Sequence, residues 1–93
     1  MPRIEALEIA DHVLDKIESK HGLDLHEVEE ACYSEVRHVR RGRQGLYKLF
    51  SRSDAGRYVL VVLADHGGGV FAIVTAREMT QNERRLYRRA TGG

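Results

Sequence analysis

The stretch Arg57-Tyr58-Val59-Leu60-Val61-Val62-Leu63-Ala64 decides the fold. It is apolar at both odd and even positions and rich in valine, so as a strand it must be covered on both faces and lie centrally in a sheet. A second run of this kind, Val70 to Ala76 (VFAIVTA), follows the glycine-rich loop Asp65-His66-Gly67-Gly68-Gly69. Before the central strand, Leu46 to Arg52 alternates, with Tyr47, Leu49 and Ser51 on one face and Leu46, Lys48, Phe50 and Arg52 on the other. Ser53-Asp54-Ala55-Gly56 then turns the chain into Arg57. Val36 to Arg41 reads as a polar edge strand, which makes four strands in the second half of the chain.

Working outward, both ends carry helical patterns. Ala10, Val13, Leu14 and Ile17 recur at helical spacing up to Ser19, and Gly22 stops that helix. Asp24 with Glu27 three residues on has the spacing of a capping box, and Leu25, Val28, Ala31 and Cys32 form the apolar stripe of a second helix. Thr80 with Glu83 repeats the box and opens a third helix from Gln81 to about Ala90. Ile4 to Ile9 can be read as a short strand or as the first turn of the long helix, and strand is preferred. The expected fold is α+β, with two N-terminal helices packed on a mainly antiparallel sheet of about four strands, followed by a C-terminal helix.

At 93 residues the chain is expected to be a single domain spanning 1–93, too short for a cofactor-binding domain beside a substrate domain. The lone Cys32 excludes an internal disulfide framework. No apolar run approaches a membrane span and no signal-like stretch opens the chain, so the protein is read as cytoplasmic with no membrane partner. The formal net charge is only +1, yet its distribution is lopsided. Residues 1–36 hold ten acidic and three basic side chains, a balance of −7, whereas residues 37–93 hold four acidic and twelve basic, a balance of +8. Such a split points to an anionic partner for the second half.

Eleven of those twelve bases are arginine, whose planar fork of donors grips phosphate better than the point charge of lysine. Arg41, Lys48, Arg52, Arg84 and Arg88 are therefore candidate RNA-binding residues, with Tyr47, Tyr58 and Tyr87 able to stack a base or donate a phenolic hydrogen bond. Cleavage of RNA without a metal needs a base for the ribose 2′-hydroxyl, cations for the phosphorane and an acid for the leaving 5′-oxygen. Arg57 and Arg77 are the candidates for the cationic clamp. Glu78, His38, His66 and Tyr87 are candidates for proton transfer. Against these stand ordinary structural roles, in which Arg57 and Arg77 pair with Glu78 or Asp54 and a loop histidine is only solvated. The five histidines lack metal-binding spacing and Gly67-Gly68-Gly69 precedes a strand, so neither a metal, a cofactor nor a P-loop is expected.

Three segments in order carry a family resemblance: Lys20-His21-Gly22-Leu23-Asp24-Leu25-His26-Glu27, then Gly56-Arg57-Tyr58-Val59-Leu60-Val61-Val62, then Ile73-Val74-Thr75-Ala76-Arg77-Glu78-Met79-Thr80 with Glu83-Arg84-Arg85-Leu86-Tyr87. Together they resemble the BrnT family of toxins from bacterial type II toxin-antitoxin pairs, over most of the chain from Lys20 to Tyr87. The resemblance implies a RelE-like ribonuclease fold, metal-free RNA cleavage that arrests translation, and a cognate antitoxin, commonly a DNA-binding dimer, in a hetero-oligomer. By position it carries Arg57, Arg77, Glu78, Glu83 and Tyr87 onto the family's motifs. Two positions depart: Ala72 stands where the family has an arginine, and Thr75 where it tends to have serine. Met1 to Ser19 is not covered.

Two functions follow from different classes. One is an endoribonuclease toxin; the other is a non-catalytic relative that keeps an RNA-binding or antitoxin-binding surface and has lost turnover with the arginine that Ala72 replaces. An antitoxin with an acidic or mixed-charge segment is expected to dock on the basic sheet face.

Overall fold

A computed structural model describes residues 3–92. The expected domain range of 1–93 therefore includes Met1, Pro2 and Gly93, which lie outside the described residues. The order is β1 (Ala6–Glu8), α1 (Asp11–His21), α2 (Leu25–Tyr33), β2 (His38–Arg41), a 3-10 turn (Arg43–Gly45), β3 (Leu46–Arg52), β4 (Tyr58–Asp65), β5 (Val70–Glu78) and α3 (Gln81–Thr91). The sheet runs β1-β5-β4-β3-β2, with β4 in its middle as its two-faced apolar pattern requires. β2, β3, β4 and β5 pair antiparallel in sequence order, and β1 pairs parallel with β5.

This corrects the expectation of about four antiparallel strands behind two helices. The sheet has five strands and is mixed, because the strand preferred for Ile4 to Ile9 is present as Ala6–Glu8 and joins the sheet in parallel. The reason is local to Gly69, whose carbonyl accepts the N–H groups of Glu5 at 2.8 Å and Ala6 at 3.2 Å. Gly69 sits at φ +82°, and a Cβ there would collide with the side chain of Glu5. A glycine thus permits β1 to close onto the free edge of β5. β5 also continues through Arg77 and Glu78, two residues beyond the run that ends at Ala76.

Helices α1 and α2 cover one face of the sheet. Ile17, Leu23, Val28, Ala31 and Cys32 meet Leu49, Val59, Val61, Leu63, Phe71 and Ile73 there. Burying side chains of this size contributes about 1.5–3 kcal/mol each, before the entropic cost of ordering them. Gly22 ends α1 in the left-handed conformation, its N–H returning to the Ile17 carbonyl. Asp24 caps α2 by accepting from Glu27 N at 2.8 Å. Glu27 does not complete the box; its carboxylate reaches Arg57 instead.

Helix α3 packs on the opposite face, where Phe50, Leu60, Met79 and Tyr87 form a second, smaller core with Tyr58 and Leu86 beside it. Its N-terminus carries the full capping box: Thr80 Oγ1 accepts from Glu83 N at 3.2 Å, and Glu83 Oε1 accepts from Thr80 N at 2.8 Å. Near Val62 the β4–β5 register shifts, with Val62 opposite Thr75 but Leu63 opposite Ile73. Val74 is the extra residue and is 41% exposed. The bulge lets Ile73 and Ala76 both face α1 and α2 while Thr75 and Arg77 face the α3 side.

Candidate nucleic-acid interface

The register sorts the basic residues by face. On the α3 side, rows run across the sheet as Arg40–Lys48–Val62–Thr75, then His38–Phe50–Leu60–Arg77, then Arg52–Tyr58. α3 lies over the middle row, so the sheet face stays open on either side of the helix.

On one side is a groove of about 850 Å³. Arg40, Arg41, Arg43 and Lys48 border it, Leu46, Phe50, Val62 and Leu86 supply apolar surface, and Glu83 stands on its α3 side. The arginines come from the β2–β3 hairpin, but the Arg41 guanidinium stands over the Tyr47 ring, 5.7 Å from its centroid. Tyr47 packs against Phe71 in the α1–α2 core, so the charge of this candidate lies toward the opposite face from Arg40 and Lys48. Among the described residues none of these four cations lies within 4.0 Å of a carboxylate. Cations without partners beside an apolar floor suit a polyanion that also offers flat apolar rings.

On the other side Tyr58 is ringed by arginines. The guanidinium carbons of Arg52, Arg84 and Arg88 stand 4.6, 5.1 and 5.2 Å from its ring centroid, and Arg88 Nη2 donates to the phenol oxygen at 3.2 Å. The hydrogen bond from Arg88 comes first in holding this phenol below the usual 10, and the charges of Arg52, Arg88 and Arg84 act in the same direction. Sequence reasoning recognised these arginines and Tyr58 separately. It missed their convergence, which depends on residues 52, 58, 84 and 88 meeting across two strands and a helix.

The other candidate residues divide in the same way. Arg77 faces α3 and forms a bidentate pair with Glu83, at 2.7 and 2.9 Å. That bond dominates in lowering the Glu83 carboxyl from its usual value, with the Thr80 N–H assisting. Arg57 lies on the opposite face. It bonds Glu27 at 3.1 Å, the Gly22 carbonyl at 3.1 Å and Glu78 at 3.6 Å, tying the α1–α2 junction to the sheet. The structure thus does not bring Arg57 and Arg77 together as one phosphate clamp, because adjacent sheet positions with opposite pleat point to opposite faces. Glu78 goes with Arg57. Tyr87 is 3% exposed and its hydroxyl donates to the Val36 carbonyl at 2.9 Å, so its phenol is occupied and burial pushes its pKa up. His38 is half-buried on the α3 face, its ring 5.8 Å from that of Phe50. His66 is paired with Glu8 at 3.1 Å, at the far end of β4.

Ala72 is opposite Ala64 on the α3 face. An arginine at this position would therefore project onto the same open surface as Lys48, which stands on β3, one row along. Among the described residues no group of three or more His, Cys, Asp or Glu could hold a metal ion. No helix among them is long and apolar enough to cross a membrane.

A mixed sheet with two helices on one face and a C-terminal helix on the other is a fold already seen in a ribonuclease toxin. That protein is BrnT of Brucella abortus, whose 1.1 Å crystal structure matches with a TM-score of 0.68 over 82% of this chain and 97% of its own, at 14% sequence identity. The likeness is one of fold. No family profile and no curated protein sequence matches the chain.

Proposed function

We propose that this chain is a metal-independent endoribonuclease toxin of a type II toxin-antitoxin pair, related to BrnT. The observation that carries the reading is the set of cations without carboxylate partners on the open sheet face, on both sides of α3, in a fold shared with a ribonuclease toxin. RNA lies along this face. Arg40, Arg43 and Lys48 hold its phosphates in the groove, with Arg52, Arg84 and Arg88 continuing the positive surface past α3. The ribose 2′-oxygen attacks phosphorus, the bond from phosphorus to the 5′-oxygen breaks, and a 2′,3′-cyclic phosphate remains. The unpaired guanidinium groups of this face stabilise the charge that accumulates on the phosphorane, whereas that of Arg77 is taken up by Glu83. His38 lies on the same face with its ring packed against Phe50, whereas Arg57, Glu78 and Tyr87 are engaged in holding the fold.

An antitoxin with an acidic segment fits this face and neutralises the protein by covering it, with an association rate that falls as salt rises. The test is direct. Purified protein with a chelator should cut RNA to 2′,3′-cyclic phosphate ends, and its expression should arrest growth unless a small protein from the adjacent reading frame is co-expressed. Intact RNA at high protein concentration overturns the enzyme. If RNA binding persists in that case, the non-catalytic module is favoured, and Ala72 in place of an arginine is the feature that would account for it.

A further inference from the structure

Metal-free cleavage needs a proton acceptor placed among unpartnered cations, and the open sheet face has few groups that qualify. Glu83 stands beside the groove, but its two oxygens already accept from both Arg77 nitrogens and from Thr80 N, which leaves it a weak base. Tyr87 donates its hydroxyl to the Val36 carbonyl inside the protein. His38 packs against Phe50. Tyr58 differs from all three: its phenol oxygen receives one N–H, from Arg88, and three guanidinium groups stand within 5.2 Å of its ring centroid.

Among the described residues, none of these three arginines is within 4.0 Å of a carboxylate. Arg52 and Arg84 are held in place by the ring, and Arg52 is steadied further by the Gly56 carbonyl at 3.3 Å. Arg88 is fixed by the phenol itself. With guanidinium groups gathered about the ring, base stacking on it is disfavoured, and what the cluster presents outward is a phenol oxygen beside N–H forks. That is an arrangement for a phosphodiester and an adjacent hydroxyl. It lies about 13 Å along β3 from Lys48, four residues at strand rise, with α3 over the row between, so a single strand that engages both groove and cluster crosses the outer surface of α3.

We propose that Tyr58 is the catalytic base of the cleavage, and that Arg52, Arg84 and Arg88 hold the scissile phosphate against it. The proposal rests on the ribonuclease reading and gives that reading its reacting centre. The phenolate oxygen takes the proton of the ribose 2′-hydroxyl as the 2′-oxygen bonds to phosphorus. The bond to the 5′-oxygen breaks, that oxygen takes a proton from water, and Tyr58 returns its own proton to water. The guanidinium groups that make the phenol easier to ionise also offset the phosphorane charge, so one cluster serves both needs.

The experiment compares wild type with Tyr58→Phe, which keeps the ring and its packing and removes only the hydroxyl. Single-turnover cleavage should fall about 100-fold or more, while affinity for a non-cleavable 2′-deoxy oligonucleotide of the same sequence falls by no more than about fivefold, since Arg52 and Arg84 keep their contacts and only the anchoring of Arg88 is lost. The wild-type rate should rise with pH to an apparent pKa below that of free tyrosine, and that limb should be absent in Tyr58→Phe. Arg84→Ala should move the limb to higher pH. A Tyr58→Phe protein that cuts at the wild-type rate overturns the role of Tyr58 and leaves the ribonuclease reading standing. A wild-type protein that leaves RNA intact overturns both. Folding of each variant is checked by its urea midpoint, and Tyr58→Leu serves as the second variant if the phenylalanine protein is unstable.

Discussion

Replacing Glu83 with alanine tests whether the Arg77–Glu83 pair holds the fold together. Glu83 accepts from Arg77 at 2.7 and 2.9 Å and from Thr80 N at 2.8 Å, with side-chain exposures of 21% for Glu83 and 38% for Arg77. A bidentate pair this exposed is partly screened and contributes about 1 kcal/mol. Loss of half the capping box and of a negative charge at the start of α3 removes about another 0.5–1 kcal/mol. Glu83→Ala should therefore cost about 1.5–2 kcal/mol, which for a chain of this size lowers Tm by roughly 10 °C. The sign of the pH dependence follows from the lowered carboxyl. Its folded pKa lies below the unfolded value near 4.5, so the stabilisation is complete above that value and is lost as pH falls through the folded one. Urea unfolding of both proteins at about pH 7 and about pH 3 measures this. The two curves should be well separated at neutral pH and should approach each other in acid. Equal midpoints at neutral pH, or a gap that acid leaves unchanged, would refute the reasoning.

The two faces of the sheet should behave differently towards RNA. Lys48→Ala should weaken binding and reduce the slope of log affinity against log salt by about one contact's worth, whereas Arg57→Met should leave both unchanged and lower stability, because Arg57 faces α2; filter binding across a salt series reads both. Ser51 is fully buried and its hydroxyl has no hydrogen-bond partner among the described residues. Ser51→Ala should hold or raise the unfolding free energy read from urea curves, by up to about 1 kcal/mol, since it removes an unsatisfied polar group. Cys32 is fully buried, and desolvation pushes its thiol up to about 12. Thiol reagents at mildly alkaline pH should label it only after denaturant is added, and rapid labelling of the native protein would contradict its place in the core.

Much of the architecture was legible because it depends on short-range pattern. The all-apolar run of β4 could only be a central strand, the alternation of β3 set its register, and Thr80 with Glu83 marked the start of α3 within a residue. β1 was harder. Its three residues are too few for a period, and its parallel pairing depends on Gly69, more than sixty positions away. The Asp24–Glu27 box was half right for a similar reason: Glu27 has the spacing of a box partner, but Arg57, just before β4, competes for it and wins with a charge-assisted bond.

The candidate site divides along the same line. Composition and order were enough to reveal a basic second half, its arginine character and a resemblance to a toxin family, because charge and motif spacing are properties of the chain itself. Which arginines are free is not such a property. Arg57 and Arg77 look equivalent as residues flanking strands, yet the pleat sends them to opposite faces, each to a different glutamate. Arg52, Tyr58, Arg84 and Arg88 look scattered, yet β3, β4 and α3 bring them together without a carboxylate in ion-pairing range. Charge could be counted from the residues; its neutralisation could not, since an ion pair is a distance between side chains and only the packed sheet and helices set those distances.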